Sequence, residues 1–199
     1  MVSCSHHADG DSGFRFHGIP GARHGVILAW AYTTQIFRNC LIRGNTGGSV
    51  AGVAYSAASK YCRWQLENCT VTGNKTTSGS CPGLGIAGCG QASDTWVKNC
   101  IVYGNGKDGD TQLGVDASKV FSSCFPEAAD GDANGNTNED PQLNADGTLK
   151  YSSPCIDAGL NLVDTAGATD LVGNPRVFGG KPDIGCYENQ TGGFLLMVR

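Results

Sequence analysis

Three stretches of the chain carry the same order of apolar and polar positions without a gap: residues 37–45 (FRNCLIRGN), 66–74 (LENCTVTGN) and 97–105 (VKNCIVYGN). In each, apolar residues stand at the first position, at a Cys three later and at a β-branched residue two beyond that, giving Phe37/Cys40/Ile42, Leu66/Cys69/Val71 and Val97/Cys100/Val102. The final step of two is the period of a strand with one face buried. The earlier step of three breaks that period, so the chain is expected to bend at Asn39, Asn68 and Asn99. Asn tolerates left-handed backbone angles there, and its amide can bond its counterpart in the next repeat. The closing pairs Gly44-Asn45, Gly73-Asn74 and Gly104-Asn105 mark a second corner. A degraded fourth copy, residues 121–126 (FSSCFP), brings Cys124 into line. Cys40, Cys69, Cys100 and Cys124 are then 29, 31 and 24 residues apart, the spacing of stacked repeats. They are expected to form an inward ladder of buried thiols that behave as small hydrophobes.

After each Gly-Asn corner follows a glycine-rich apolar stretch: residues 49–55 (SVAGVAY), 83–89 (GLGIAGC) and 112–117 (QLGVDA), with 24–32 (HGVILAWAY) as the match in an earlier repeat. Each repeat thus holds at least two short strands, and stacking pairs every strand in parallel with its neighbours. The pattern predicts an all-β chain, a parallel β-helix solenoid with an irregular C-terminal cap. Its rungs would span residues 24–126, the cap 127–190 and a tail 191–199, after a truncated or poorly ordered start over 1–23. The alternative is a leucine-rich-repeat-like solenoid, because Leu66, Cys69, Val71 and Asn74 also fit L-x-x-L-x-L-x-x-N. That fold needs a helix or similar return after the Asn, and the return segments here are patterned as strand.

Composition narrows the setting. Thirty glycines among 199 residues are about twice the usual ~7% share, in keeping with frequent turns and little helix. A net charge of -4 and a pI near 5.4 offer no positive field for nucleic acid or an anionic membrane surface. No apolar run is long enough for a transmembrane segment. Ten cysteines without a CxxC pair or a zinc spacing point to an oxidising compartment, hence an extracellular or cell-surface location. The first residues lack the apolar core of a signal peptide, so an export signal is expected upstream of them.

Residues 153–159 (SPCIDAG), 170–176 (DLVGNPR) and 183–188 (DIGCYE) resemble the C-terminal signature of bacterial pectate-lyase-like β-helix proteins of the choice-of-anchor Q type, whose repeats the NCxUxGN rungs (U, aliphatic) also resemble. The resemblance spans residues 35–188. It implies a right-handed β-helix in an exported or surface-attached bacterial protein, some relatives of which are polysaccharide lyases or glycoside hydrolases. The ending GFLLMVR departs from the pattern by lacking an obvious sorting module. Cys155 and Cys186 fall in the two halves of the signature, and a disulfide between them is expected to pin the cap. Cys62, Cys81 and Cys89 could supply one further bridge, its pairing open, as is the state of Cys4.

Candidate chemistry is sparse. Asp130, Asp132 and Asn134, with Gly135 after them, match the opening of a calcium loop, in which oxygens at positions 1, 3 and 5 converge. Pro141 stands where a bidentate Glu would be needed, so Asn136, Asn138 or Asp140 would have to complete the shell around a structural Ca²⁺. The alternative is a solvated acidic turn. On the outer face, Arg38, Glu67 and Lys98 alternate in sign, as surface pairing that fixes register would require. The next outward columns, Leu41/Thr70/Ile101 and Arg43/Thr72/Tyr103, hold no carboxylate pair. Among spare acids, Asp108 and Asp110 are the best candidates for a catalytic pair, against a simpler role in turn formation. His6, His7, His17 and His24 precede the first clear repeat without a fixed partner spacing, and Trp30, Tyr32, Tyr55, Trp64 and Tyr103 offer stacking faces or simple packing. The functional expectation is a non-catalytic, adhesin-like module contacting extracellular polysaccharide. The alternatives are part of a polysaccharide lyase or glycoside hydrolase, and a purely structural spacer.

Overall fold

The structure is a computed structural model and describes residues 15–17, 27–29, 34–48, 50–56, 63–78, 81–87, 95–107, 109–162 and 167–191. It is all-β. In chain order, β1 (Arg15–His17) and β2 (Ile27–Ala29) precede the first full repeat, which contributes β3 (Thr34–Arg38), β4 (Leu41–Arg43), β5 (Thr46–Gly47) and β6 (Val53–Ser56). The second repeat supplies β7 (Arg63–Glu67), β8 (Thr70–Thr72), β9 (Lys75–Thr76) and β10 (Leu84–Ala87), and the third β11 (Trp96–Lys98), β12 (Ile101–Tyr103) and β13 (Leu113–Gly114). A 3₁₀ turn, Ala117–Lys119, is capped by the Asp116 carboxylate and leads into β14 (Val120–Phe121). No α-helix occurs among the described residues, so the helical returns of a leucine-rich horseshoe are missing from them.

The strands assemble by repeat into three four-stranded parallel sheets, ordered β1-β4-β8-β12, β2-β6-β10-β13 and β3-β7-β11-β14, with β5-β9 as a two-stranded fourth. Phe37 aligns with Leu66 and Ile42 with Val71, which in turn aligns with Val102. Leu66, Ile42, Val71 and Val102 form one buried cluster with Cys40, Cys69, Cys100, Val53 and Leu84, and Phe37, partly buried, packs against it. The bend comes where the period broke: Asn39, Asn68 and Asn99 have φ of 50°, 51° and 51°. In the glycine-rich sheet, successive backbones approach too closely for a side chain, since a Cβ on Gly52 would lie 2.3 Å from the Gly83 carbonyl oxygen.

The second corner carries a buried asparagine ladder. Asn45 donates both its backbone N–H (3.1 Å) and its Nδ2 (2.9 Å) to Asn74 Oδ1. Asn74 repeats this onto Asn105 Oδ1 at 3.1 and 2.8 Å. The fourth repeat has no Asn to follow, and Gln112 ends the column: its Oε1 accepts the Asn105 N–H at 2.7 Å, and its Nε2 donates back to the Asn105 carbonyl at 2.8 Å. Every polar group here is buried, and each bond replaces one that water would otherwise make.

Two expectations are corrected at the fourth repeat. Val97 pairs with Val120 and Lys98 with Phe121, so Ser122 (φ 40°) takes the bend and Ile101, not Cys100, is opposite Cys124. Cys124 is therefore not the fourth member of the inward thiol column; Ser123 stands there, its Oγ accepting the Cys100 N–H at 3.1 Å. A slip of one residue turns a strand side chain to the opposite face. Cys124 accordingly packs outside the main core with Ile101, Leu149, Cys155 and Ile184.

The C-terminal segment expected to close the open end divides its work. Around residues 134–137 it adds a partial layer beyond β14: Ser122 N–H donates to Asn134 O, Phe125 N–H to Thr137 O and Thr137 N–H to Ser123 O. Beyond that it runs along the flank of the sheets over Leu41, Thr70 and Ile101. Gly185 N–H donates to Asn99 O at 2.8 Å, Cys186 N–H to Thr70 Oγ1 at 3.1 Å and Leu160 N–H to Asn99 Oδ1 at 2.7 Å. Cys155 and Cys186 do not pair. Both are buried free thiols, and they sit in separate clusters, Cys155 against Cys124 and Cys186 beside Leu41 and Tyr187.

Candidate functional site

Where the flank segment meets the edge of β4, it leaves a cavity of about 440 Å³ whose wall includes Arg43, Asp146, Val172, Tyr187, Glu188 and Asn189. Arg43 is the last residue of β4 and is half-buried. Facing it, Asp146 is held in a tight turn by the Thr148 backbone N–H (3.0 Å) and hydroxyl (2.6 Å). These two bonds, with the Arg43 charge behind them, hold the Asp146 carboxyl below its ordinary range.

The other acids of this wall are occupied with the fold. Asp170 accepts the backbone N–H groups of Val172, Asn174 and Glu188, and the Asn174 amide. Glu188 accepts from Phe178 N–H at 3.1 Å and Asp183 N–H at 3.0 Å, and Asp183 from Asp157 N–H at 2.8 Å and Asn189 N–H at 2.6 Å. Arg176, 1% exposed, lies among them and donates Nη2 to the carbonyls of Asp183 and Gly185. Burial raises Asp183 and, with the Asp183 charge adding to it, pushes Glu188 up to about 7 against the pull of two N–H donors and Arg176. The residues that make the terminal signature distinctive therefore build the flank segment. Each of these acids satisfies backbone donors that would otherwise be stranded.

A second cavity of about 440 Å³ lies at the turn after β12, lined by Tyr103, Lys107, Asp110 and Glu127 among others. Asp110 Oδ2 accepts the Lys107 N–H at 2.9 Å, and Glu127 Oε1 accepts the Gln112 N–H at 2.5 Å. Asp108 lies outside the described residues, so its pairing with Asp110 has no structural reading. The same holds for Cys4, Cys62, Cys89, His6, His7, His24, Trp30, Tyr32 and Asp94, and for the side chains of His17 and Tyr55.

The calcium loop does not gather its donors. Asp132 Oδ1 caps its own turn through Asn134 N–H at 2.7 Å, and Asn138 donates its amide to Asp130 Oδ1 at 2.9 Å. Asn136 is turned inward, accepting Ser123 N–H and donating to Val120 O, both at 3.0 Å. Asn134 Nδ2 points to the Ala117 carbonyl at 3.5 Å, and Asp140 caps Gln142 N–H at 2.8 Å. These residues do not fit a Ca²⁺ shell, which needs six or more oxygens turned to one point. Among the described residues no group of three or more His, Cys, Asp or Glu is placed to hold a metal ion.

On the outer column, Arg38 pairs with Glu67 at 2.5 Å, and Glu67 also accepts from Trp96 Nε1 at 2.9 Å. Lys98 lies over the Trp96 ring, 4.0 Å from its centroid. Lys98 also approaches the Phe121 ring at 5.9 Å, so an ion pair and cation–π contacts tie this column across the repeats. The cavity beside β4 had one trace in the sequence: Leu41 and Ile101, apolar at outward positions, announce a covered face. No helix of the described residues is long and apolar enough to cross a membrane. No family model, curated protein or solved structure matches the chain.

Proposed function

We propose that the chain is part of a right-handed parallel β-helix of the pectate-lyase-like kind, carried outside the cell, and that it contacts extracellular polysaccharide without cleaving it. The observation that carries this reading is the division of labour in the cavity beside β4. Its carboxylates are committed to backbone and hydroxyl donors, and Arg43 brings a guanidinium to its wall. A polar cation beside Val172 and Tyr187 suits a sugar ring, which offers hydroxyl acceptors at its rim and an apolar face. The in-register parallel sheets supply the rigid edge on which such a site can be held.

The test is a binding titration of acidic and neutral polysaccharides, with and without calcium, run beside a reducing-end assay. Binding without new reducing ends is expected. Arg43→Ala is expected to weaken it by roughly tenfold or more, since charge-assisted hydrogen bonds are worth about 1.5–3 kcal/mol. A second reading, a glycoside hydrolase, draws on Asp110 and Glu127 lining one cavity with Tyr103. Release of reducing ends that is lost in Asp110→Asn would establish it in place of the first. Failure to bind any glycan would leave the structural spacer.

A further inference from the structure

The displaced register of the fourth repeat has a chemical consequence. It takes Cys124 out of the thiol column and aims it at the flank segment, where it shares a buried cluster with Cys155. The Cys155 thiol lies close enough to perturb that of Cys124, whose Sγ donates to the Glu139 carbonyl at 3.2 Å. The chain fixes both backbones. Cys124 N–H donates to Cys100 O at 2.8 Å and Val102 N–H to Cys124 O at 2.9 Å. On the other side, Cys155 N–H donates to Ser153 Oγ at 3.2 Å, and Cys155 O accepts Ile184 N–H at 2.9 Å. Among the described residues the other buried thiols belong to different clusters, and Cys69 neighbours Cys40 and Cys100 in the inward column. Cys40, Cys69 and Cys100 point their Sγ atoms at the carbonyls two residues before them, at 3.1–3.2 Å, and Cys186 belongs to the cluster of Leu41 and Tyr187.

We propose that Cys124 and Cys155 form a disulfide that ties the flank segment to the last strand of the stack. In an exported protein the oxidant is an external disulfide, either glutathione disulfide or a thiol–disulfide oxidoreductase. One protein thiolate attacks it and releases one reduced external thiol, leaving a mixed disulfide. The second cysteine loses its proton and displaces the other external thiol. Two protein thiols are thereby oxidised and one external disulfide is reduced to two thiols. Both sulfurs are 0% exposed once the flank is docked, so the exchange belongs to folding, before the segment closes. The neighbouring Cys155 thiol and, after it, burial raise the Cys124 thiol far above its ordinary value, which makes any unoxidised pair inert afterwards.

The inference rests on the extracellular reading for its occurrence in the organism, but the pairing can be tested apart from it. Reduced, unfolded full-length protein is refolded in a glutathione redox buffer, blocked with an alkylating agent and digested with trypsin without reductant. Cys124 and Cys155 lie on separate tryptic peptides, residues 120–150 and 151–176, and Cys186 on a third. The expected result is a linked pair of the first two as the major species, lost on reduction and absent from Cys155→Ser. Full alkylation of both thiols, or linkage of Cys155 to Cys186, would overturn the proposal. Oxidation while unfolded in denaturant should give a mixture of pairings, which controls for bonds made by chance. A bond that forms in vitro but is missing from protein isolated from its producer would support the pairing and count against export.

Discussion

Asn74 is one of the densely bonded side chains of the interior. It is fully buried, accepts two bonds from Asn45, and donates to Asn105 Oδ1 and to the Ile42 carbonyl at 3.0 Å. Removing the amide leaves donors on one side and acceptors on the other without partners, each costing about 1–3 kcal/mol. Asn74→Ala is therefore expected to lower unfolding stability by roughly 3 kcal/mol or more in urea titration, whereas exposed Lys75→Ala should change it by less than about 0.5 kcal/mol. Equal effects at the two positions would contradict the ladder. The three Asn-Cys and Gly-Asn corners were legible because each residue type meets a local requirement, a left-handed angle or a self-pairing amide. The end of the ladder was not. Gln112 is seven residues beyond Asn105, and only the fold shows that the amide column lacks a fourth Asn.

The strands of the repeats were legible as strands, but the last one was misaligned by the very cysteine that seemed to identify it. Matching Cys124 to Cys100 gives a spacing of 24 residues; the pairing of Ile101 with Cys124 gives 23. The β-branched Val120, not Phe121, fills the inward place opposite Val97. The flank segment was legible as a distinct unit, though not in its position, because its contacts with Leu41, Thr70 and Ile101 join residues more than 80 apart in the chain. Its charged centre makes it sensitive to pH. Glu188 is raised in the fold from its usual 4.5 to about 7, so its contribution is full below about pH 4.5 and is lost as pH climbs through 7. Asp183 is raised and acts in the same sense, while the lowered Asp146 titrates below this window. The melting temperature is expected to fall between pH 5.5 and pH 8, and Glu188→Gln should flatten that fall even if it lowers stability overall. A melting temperature that rises over the interval, or a slope unchanged in the variant, would rule out this role.

For the molecule as a whole, the repeats and the C-terminal segment depend on one another. The column Leu41, Thr70, Ile101, Cys124 faces outward from the sheets, yet Leu41 is 4% and Ile101 0% exposed, because the flank segment covers them. Gly185 shows how close that docking is: with φ at 110°, a Cβ there would lie 2.8 Å from Ile101 Cδ1 and 2.9 Å from Thr70 Oγ1. The cavity beside β4, the proposed disulfide and the pH response all depend on this one interface and on the register beneath it. Backbone and methyl nuclear Overhauser contacts in isotope-labelled protein read both together. Cross-strand contacts should run from Leu41 to Thr70 to Ile101 and on to Cys124, with Ile101 methyls also contacting Gly185. Contacts that place Cys100 opposite Cys124, or none between Ile101 and Gly185, would contradict the fold described here.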